Sequence, residues 1–187
     1  YAEQFLQELR QRCEAIGSTS VNGVDLSPWC QALQGWDGLY NSDSVGAHIF
    51  RVFMANYINV LDTDLTTPFN PADPVGTPAD PERDNAGTAN DTMLQSLANG
   101  VHALQSQGIA PNEPLGDLQY YRPSGGVAPG SGAMPVFQTQ PIPWHGGDGN
   151  IDGTFNAVGV VTSEFAEDNR LPRIAPEVID NTAGLSD

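Results

Sequence analysis

The chain has 187 residues, with 23 acidic side chains against 7 arginines and no lysine, for a net charge of −16. That balance leaves no clustered positive charge for phosphates, which excludes nucleic acid and anionic membrane surfaces as partners; no apolar run approaches the roughly 20 residues needed to span a bilayer. The length suits one domain with a sizeable core or part of a larger protein, while 39% hydrophobic content with 15 prolines and 20 glycines implies much irregular backbone.

Tyr1 falls inside a helical pattern with no charged-then-apolar signal region before it, so the natural protein is expected to begin upstream. Ala2, Phe5, Leu6, Leu9, Cys13 and Ile16 recur at three- and four-residue steps, predicting an amphipathic helix over 1–16 stopped at Gly17. Ser27 followed by Pro28 reads as an N-cap with proline at the first helical position, and Gly35 closes that short helix. Ile49, Phe50, Phe53, Met54, Tyr57, Ile58 and Leu61 form the broadest apolar face, on a helix from about 44 to 61. The run 66–84 carries five prolines and four acids and argues against regular structure. Asn90 reads as the cap of a fourth helix, whose stripe is Met93, Leu94, Leu97, Val101 and Leu104 and which ends at Gly108.

From 109 to 153, Pro, Gly, Asn and Ser dominate. Leu118–Arg122 and Met134–Gln138 are edge strands at most, Phe155–Val161 is the one convincing strand, and a tail with Pro172 and Pro176 follows. So long a connection without structure of its own is usually laid over another body. The expected fold is mainly α with long irregular segments and a few short strands, an α+β arrangement. It divides into a helical part at 1–108 and a Pro/Gly-rich part at 109–187, neither of them an independent complete domain. The four stripes are expected to leave apolar surface for the remaining chain or a second copy.

Cys13 lies in the last turn of the first helix and Cys30 in the first turn of the second, with Gly17 and Gly23 allowing the return between them. Two buried apolar thiols are one reading. A disulfide, worth about 3 kcal/mol for a loop of about 15 residues, is the favoured one, and it implies an exported protein.

Asp148, Asn150, Asp152 and Gly153 are spaced like the opening of a calcium loop, but position 12 of that loop is Gly159 and the proline- and glycine-rich flank forbids an entering helix. They read as turn residues. No Cys or His spacing resembles a zinc site, and no metal or cofactor is expected. Asp43, Ser44 and His48 invite a triad, yet Ser44 or Ser42 reads better as a helix cap and Asp43 as a first-turn acid. Trp36 either lines an acyl pocket or packs under a turn fixed by Asp37, and the packing role is favoured. Trp144 and His145 are the remaining candidates for contact with a substrate cleft.

The run CQALQGWDGLYNSDSVGAHIFRVF at 30–53 resembles the β-subunit of penicillin-acylase-type N-terminal nucleophile hydrolases, in the branch of acyl-homoserine lactone and aculeacin acylases. The likeness continues in order through TP at 77–78, PLGDLQYYR at 114–122 and HGGDGNIDGTFN at 145–156, covering most of 1–160. It implies a fragment of a larger αββα hydrolase that releases an acyl group from an amide. The nucleophile it implies is an N-terminal serine freed by self-cleavage, with its own α-amino group as base and backbone and asparagine donors for the oxyanion. Tyr1 has no aliphatic hydroxyl or thiol, so the resemblance places the catalytic residues before this chain and implies that the fragment alone is inactive. It also implies the α-subunit and the rest of the β-subunit as partners, an amide substrate (a lactone, a lipopeptide or, as runner-up, a β-lactam side-chain amide), and a periplasmic or secreted location. A secreted, non-catalytic binding module is the competing class.

Overall fold

The computed structural model describes residues 2–60, 64–74, 76–77, 79–118, 120–121 and 142–143. Met134–Gln138, Phe155–Val161, Trp144, His145 and the Asp148–Asp152 turn lie outside them. The elements run α1 (Ala2–Ile16), α2 (Ser27–Gly35), α3 (Ala47–Tyr57), β1 (Leu65–Thr67), β2 (Ala79–Pro81), α4 (Thr92–Ser106), α5 (Leu115–Leu118), β3 (Tyr120–Tyr121) and β4 (Ile142–Pro143). The strands form two separate antiparallel pairs, β1 with β2 and β3 with β4. The described residues are thus mostly helical with minor β-structure, as expected. No helix among them is long and apolar enough to cross a membrane.

Helix α1 buries Phe5, Leu6, Leu9, Cys13 and Ile16 and ends where Gly17 turns left-handed at φ 58°. The chain returns through a tight turn at Asn22 and Gly23, both at positive φ, closed by paired hydrogen bonds between Val21 and Val24. Positive φ at both central residues favours Asn-Gly here. Cys13 and Cys30 are joined, fixing α1 to α2. Helix α3 buries nearly its whole circumference, His48 and Arg51 included, and its largest helical contact is with α4. The two approach so closely at Gly100 that a Cβ there would stand 2.8 Å from both the Val52 carbonyl oxygen and its Cγ2.

An aromatic chain runs through the centre: Tyr40 meets Trp36 edge-on, Trp36 meets Phe50, Phe50 meets Phe53, Phe53 stacks on Tyr57, and Tyr57 meets Phe5. Offset and edge-on rings like these are the arrangements that the ring quadrupole favours. Ile109, Leu115 and Leu118 join the same core, so the packed unit continues past the end of α4.

A buried polar joint closes one end of the bundle. Arg12 of α1 donates to Asp91 at 2.8 Å, to the Glu82 carbonyl at 2.8 Å and to Glu8 at 3.2 Å. Asp91 in turn accepts from the backbone N–H groups of Met93, Leu94 and Gly87, capping α4. Burial opposes the charge on Arg12, but Asp91 and then Glu8 more than offset it, and the guanidinium pKa lies above its ordinary value. Nearby, the Tyr57 hydroxyl donates to Asp64 at 2.5 Å; burial first, and that carboxylate second, push its pKa well above the tyrosine range.

Several local expectations are corrected. Asp91, not Asn90, caps α4. Ser27 is the first residue of α2, not its cap; its N–H donates to Asp25. Neither Ser42 nor Ser44 caps α3, which starts at Ala47 behind Gly46 at φ 108° and stops at Tyr57. The 66–84 run is not wholly irregular: Thr66 and Thr67 bond Asp80 across the short β1–β2 ladder, which admits Pro81 because it sits at a strand end. Residues Leu115–Leu118 form a helical turn before β3. The helices cover one another's stripes, and among the described residues the exposed large hydrophobics are Leu39 and Phe69.

Asp91→Ala removes the nearer of the two carboxylates that face the buried Arg12, leaving Glu8 alone, and uncaps α4, so it should destabilise the bundle by about 3 kcal/mol, read as a lower denaturation midpoint. Replacing Cys13 and Cys30 together by serine should cost about 3 kcal/mol through the freed loop. Reducing agent should lower the midpoint of the wild type and leave that of the double variant in place.

Candidate functional site

The motif that carries the family likeness folds as a corner between α2 and α3. Trp36 follows α2, with its indole buried and its Nε1–H donating to the Leu39 carbonyl at 2.7 Å. Asp37 accepts from the Leu39 N–H at 2.9 Å, and Gly38 supplies the left-handed residue of this turn at φ 82°. Arg10 reaches over from α1 and donates to the Leu33 and Trp36 carbonyls, satisfying the end of α2. Gly46 must be glycine, since a Cβ there would lie 2.7 Å from Trp36 Cβ and its φ is strained for any other residue.

A depression of about 260 Å³ opens on this corner, lined by Gly35, Trp36, Asp37, Asn41, Asp43, Ser44 and Val45. Its chemistry is acidic and polar, with the carboxylates of Asp37 and Asp43 at the rim. Asp37 is engaged with the Leu39 N–H, and the buried Ser44 hydroxyl accepts from the Asn41 N–H at 3.1 Å. The packing reading of Trp36 and Asp37 agrees with this geometry: the indole is a wedge between helices that shows one edge to the depression.

The triad arrangement does not form. No hydrogen bond joins Ser44 to His48, whose ring is wholly buried, while Asp43 faces solvent. The Ala110 backbone lies beside the His48 ring without a contact of hydrogen-bond geometry. Burial lowers the imidazole pKa to about 4, with Ala110 and Glu113 pulling weakly the other way. With no hydrogen bond to Ser44 and its basicity weakened by burial, this imidazole is not placed to serve as the base for that hydroxyl. Among the described residues no three His, Cys, Asp or Glu side chains are placed to hold a metal ion. Trp144 and His145 fall outside the described residues.

Sequence reasoning missed the Arg12–Asp91 joint. Its signal was present: a guanidinium on the apolar face of α1, and an aspartate just before the α4 stripe.

The corner, the disulfide and the α3–α4 pair define the helical portion of an α+β protein in which Ser44 and His48 are not bonded to each other. This chain belongs to the penicillin amidase family, whose model matches residues 1–174. It is 27% identical to an acyl-homoserine lactone acylase PvdQ of Pseudomonas savastanoi pv. phaseolicola over 164 residues, covering 87% of this chain and 19% of that protein. It is 34% identical to aculeacin-A acylase of Actinoplanes utahensis over 143 residues, covering 75% of this chain and 15% of the relative. A PvdQ of Pseudomonas syringae pv. syringae is 28% identical over 165 residues, 87% of this chain and 19% of its own length. The chain therefore spans under a fifth of these relatives.

Gly46→Ala should destabilise the corner by on the order of 3 kcal/mol, through left-handed strain and the clash with Trp36. The expected readout is a lower thermal midpoint with a changed near-ultraviolet circular dichroism signal.

Proposed function

We propose that this chain is an internal segment of the β-subunit of an amidohydrolase that removes an acyl chain from an amide, with acyl-homoserine lactones or lipopeptides as the substrate class. The observation that carries this is the joint occurrence of the family match over 1–174 and relatives named as acyl-homoserine lactone and aculeacin-A acylases. On this proposal the N-terminal serine nucleophile lies upstream of this segment. In this reading the segment supplies helices and cleft wall to the αββα hydrolase, with Trp144 and His145 contacting the cleft, and acts only together with the remaining segments. The disulfide supports a periplasmic or secreted setting, since such bonds persist in oxidising compartments.

The family's name favours a second reading, cleavage of a β-lactam side-chain amide. The charge of −16 weighs against it, because that field repels an anionic β-lactam nucleus and tolerates a neutral lactone. Screening within about 10 Å in ordinary salt keeps the discrimination small.

The full-length, self-processed protein should release amine faster from a long-chain acyl-homoserine lactone than from penicillin G. Faster turnover of penicillin G overturns the substrate class. No release from either, with the N-terminal serine confirmed by sequencing, overturns the acylase assignment.

A further inference from the structure

Three features of the described residues have no role in the reading above: the acidic depression beside Trp36, the exposed Phe69 near the β1–β2 ladder, and the buried His48. Nothing in the structure points to a ligand in the depression or to what covers Phe69. His48 is different, because its position is costly for one of its two protonation states.

His48 sits in the first turn of α3, with its side chain fully enclosed and both ring nitrogens without a hydrogen-bond partner. The segment 110–116 closes over this end of the helix. The Leu115 N–H donates to the Ser44 carbonyl at 2.9 Å and the Gly116 N–H to the Ser42 carbonyl at 2.7 Å, with Val45 bridged to Pro114. We propose that His48 is an acid-sensitive latch: neutral, it lets the 110–116 segment dock on the start of α3, and protonated, it drives that segment off.

Two physical terms oppose a proton on this ring. An enclosed imidazolium loses its hydration. The start of a helix is the positive end of its dipole. The groups that could compensate are few. From the docked segment, Glu113 lies within electrostatic reach, with its carboxylate accepting from the Ala110 N–H at 2.7 Å, and Asp117 points to solvent. From α4 the one titratable side chain is His102, which is exposed; from the 36–46 corner, Asp37 and Asp43 are exposed; α2 carries no charged residue. Opening the seam returns His48 to water, where its pKa is about 6.5. The closed state holds it down to about 4, so it binds the proton less readily than the open state. Docking is therefore fully favoured above pH 6.5 and is lost as pH falls from 6.5 toward 4.

The test is hydrogen exchange of the 110–118 backbone in the full-length protein between pH 7.5 and 4, corrected for the intrinsic rate and referenced to the α4 amides. The opening equilibrium should rise by about 150-fold across that range, close to tenfold for each pH unit between the two values and levelling off near pH 4, while His48→Gln shows no such rise. A flat wild-type profile, or a variant that titrates like the wild type, overturns the latch. If His48→Gln does not fold, the wild-type profile is paired with an NMR titration of the His48 ring. A ring whose protonation is held to below pH 5 and rises together with the opening of the segment sustains the latch; one that titrates near 6.5, or an opening without any gain of a proton, refutes it.

Discussion

The helical unit depends on a single buried ion pair. Arg12 and Asp91 are both nearly inaccessible, and a charge pair taken out of water is tolerated only when its remaining donors and acceptors are filled. They are filled here: Arg12 also reaches Glu8 and the Glu82 carbonyl, and Asp91 takes three backbone N–H groups. One joint thereby fixes the position of α1, the start of α4 and the 82–91 connection. Close approach elsewhere follows from that placement. Gly87 passes over Ala15, where a Cβ would stand 2.4 Å from the alanine methyl, and Gly100 lets α4 lie directly on the α3 backbone.

The opposite corner solves a different problem. Helix α2 ends against α3, and its last carbonyls have no helical partner. Arg10 supplies donors to two of them, while the Trp36 indole fills the gap between the helices and bonds the turn beneath it. The WDG sequence is thus a structural signature: a wedge, a turn-fixing carboxylate and a left-handed glycine. Its effect is to hold the end of α2 rigidly against the start of α3. The disulfide serves the same end by fixing α1 to α2 across the connection that leads into this corner.

His48 shows how a residue can be misread as catalytic from its neighbours in sequence. Ser, Asp and His within five positions suggest a triad, yet the turn before α3 sends Ser44 to bond the Asn41 backbone, Asp43 to solvent and His48 into the interior. The left-handed Gly46 causes the divergence, because it reorients the chain between the serine and the histidine.

The sequence by itself determined the four main helices, their apolar stripes, the glycine that ends α1 and the family, and it favoured a Cys13–Cys30 disulfide over two free thiols. Each of these rests on local periodicity, on spacing or on an ordered set of motifs. The tertiary structure decided that α3 starts behind Gly46 instead of at a serine cap, that Asp91 caps α4 because Arg12 holds it there, and that a proline-rich stretch supports a short ladder. It also decided that His48 is buried. These outcomes depend on contacts between residues far apart in the chain, such as Arg12 with Asp91 and Ser44 with Leu115. A one-dimensional pattern carries the propensity of each segment but not the partner that satisfies its polar groups.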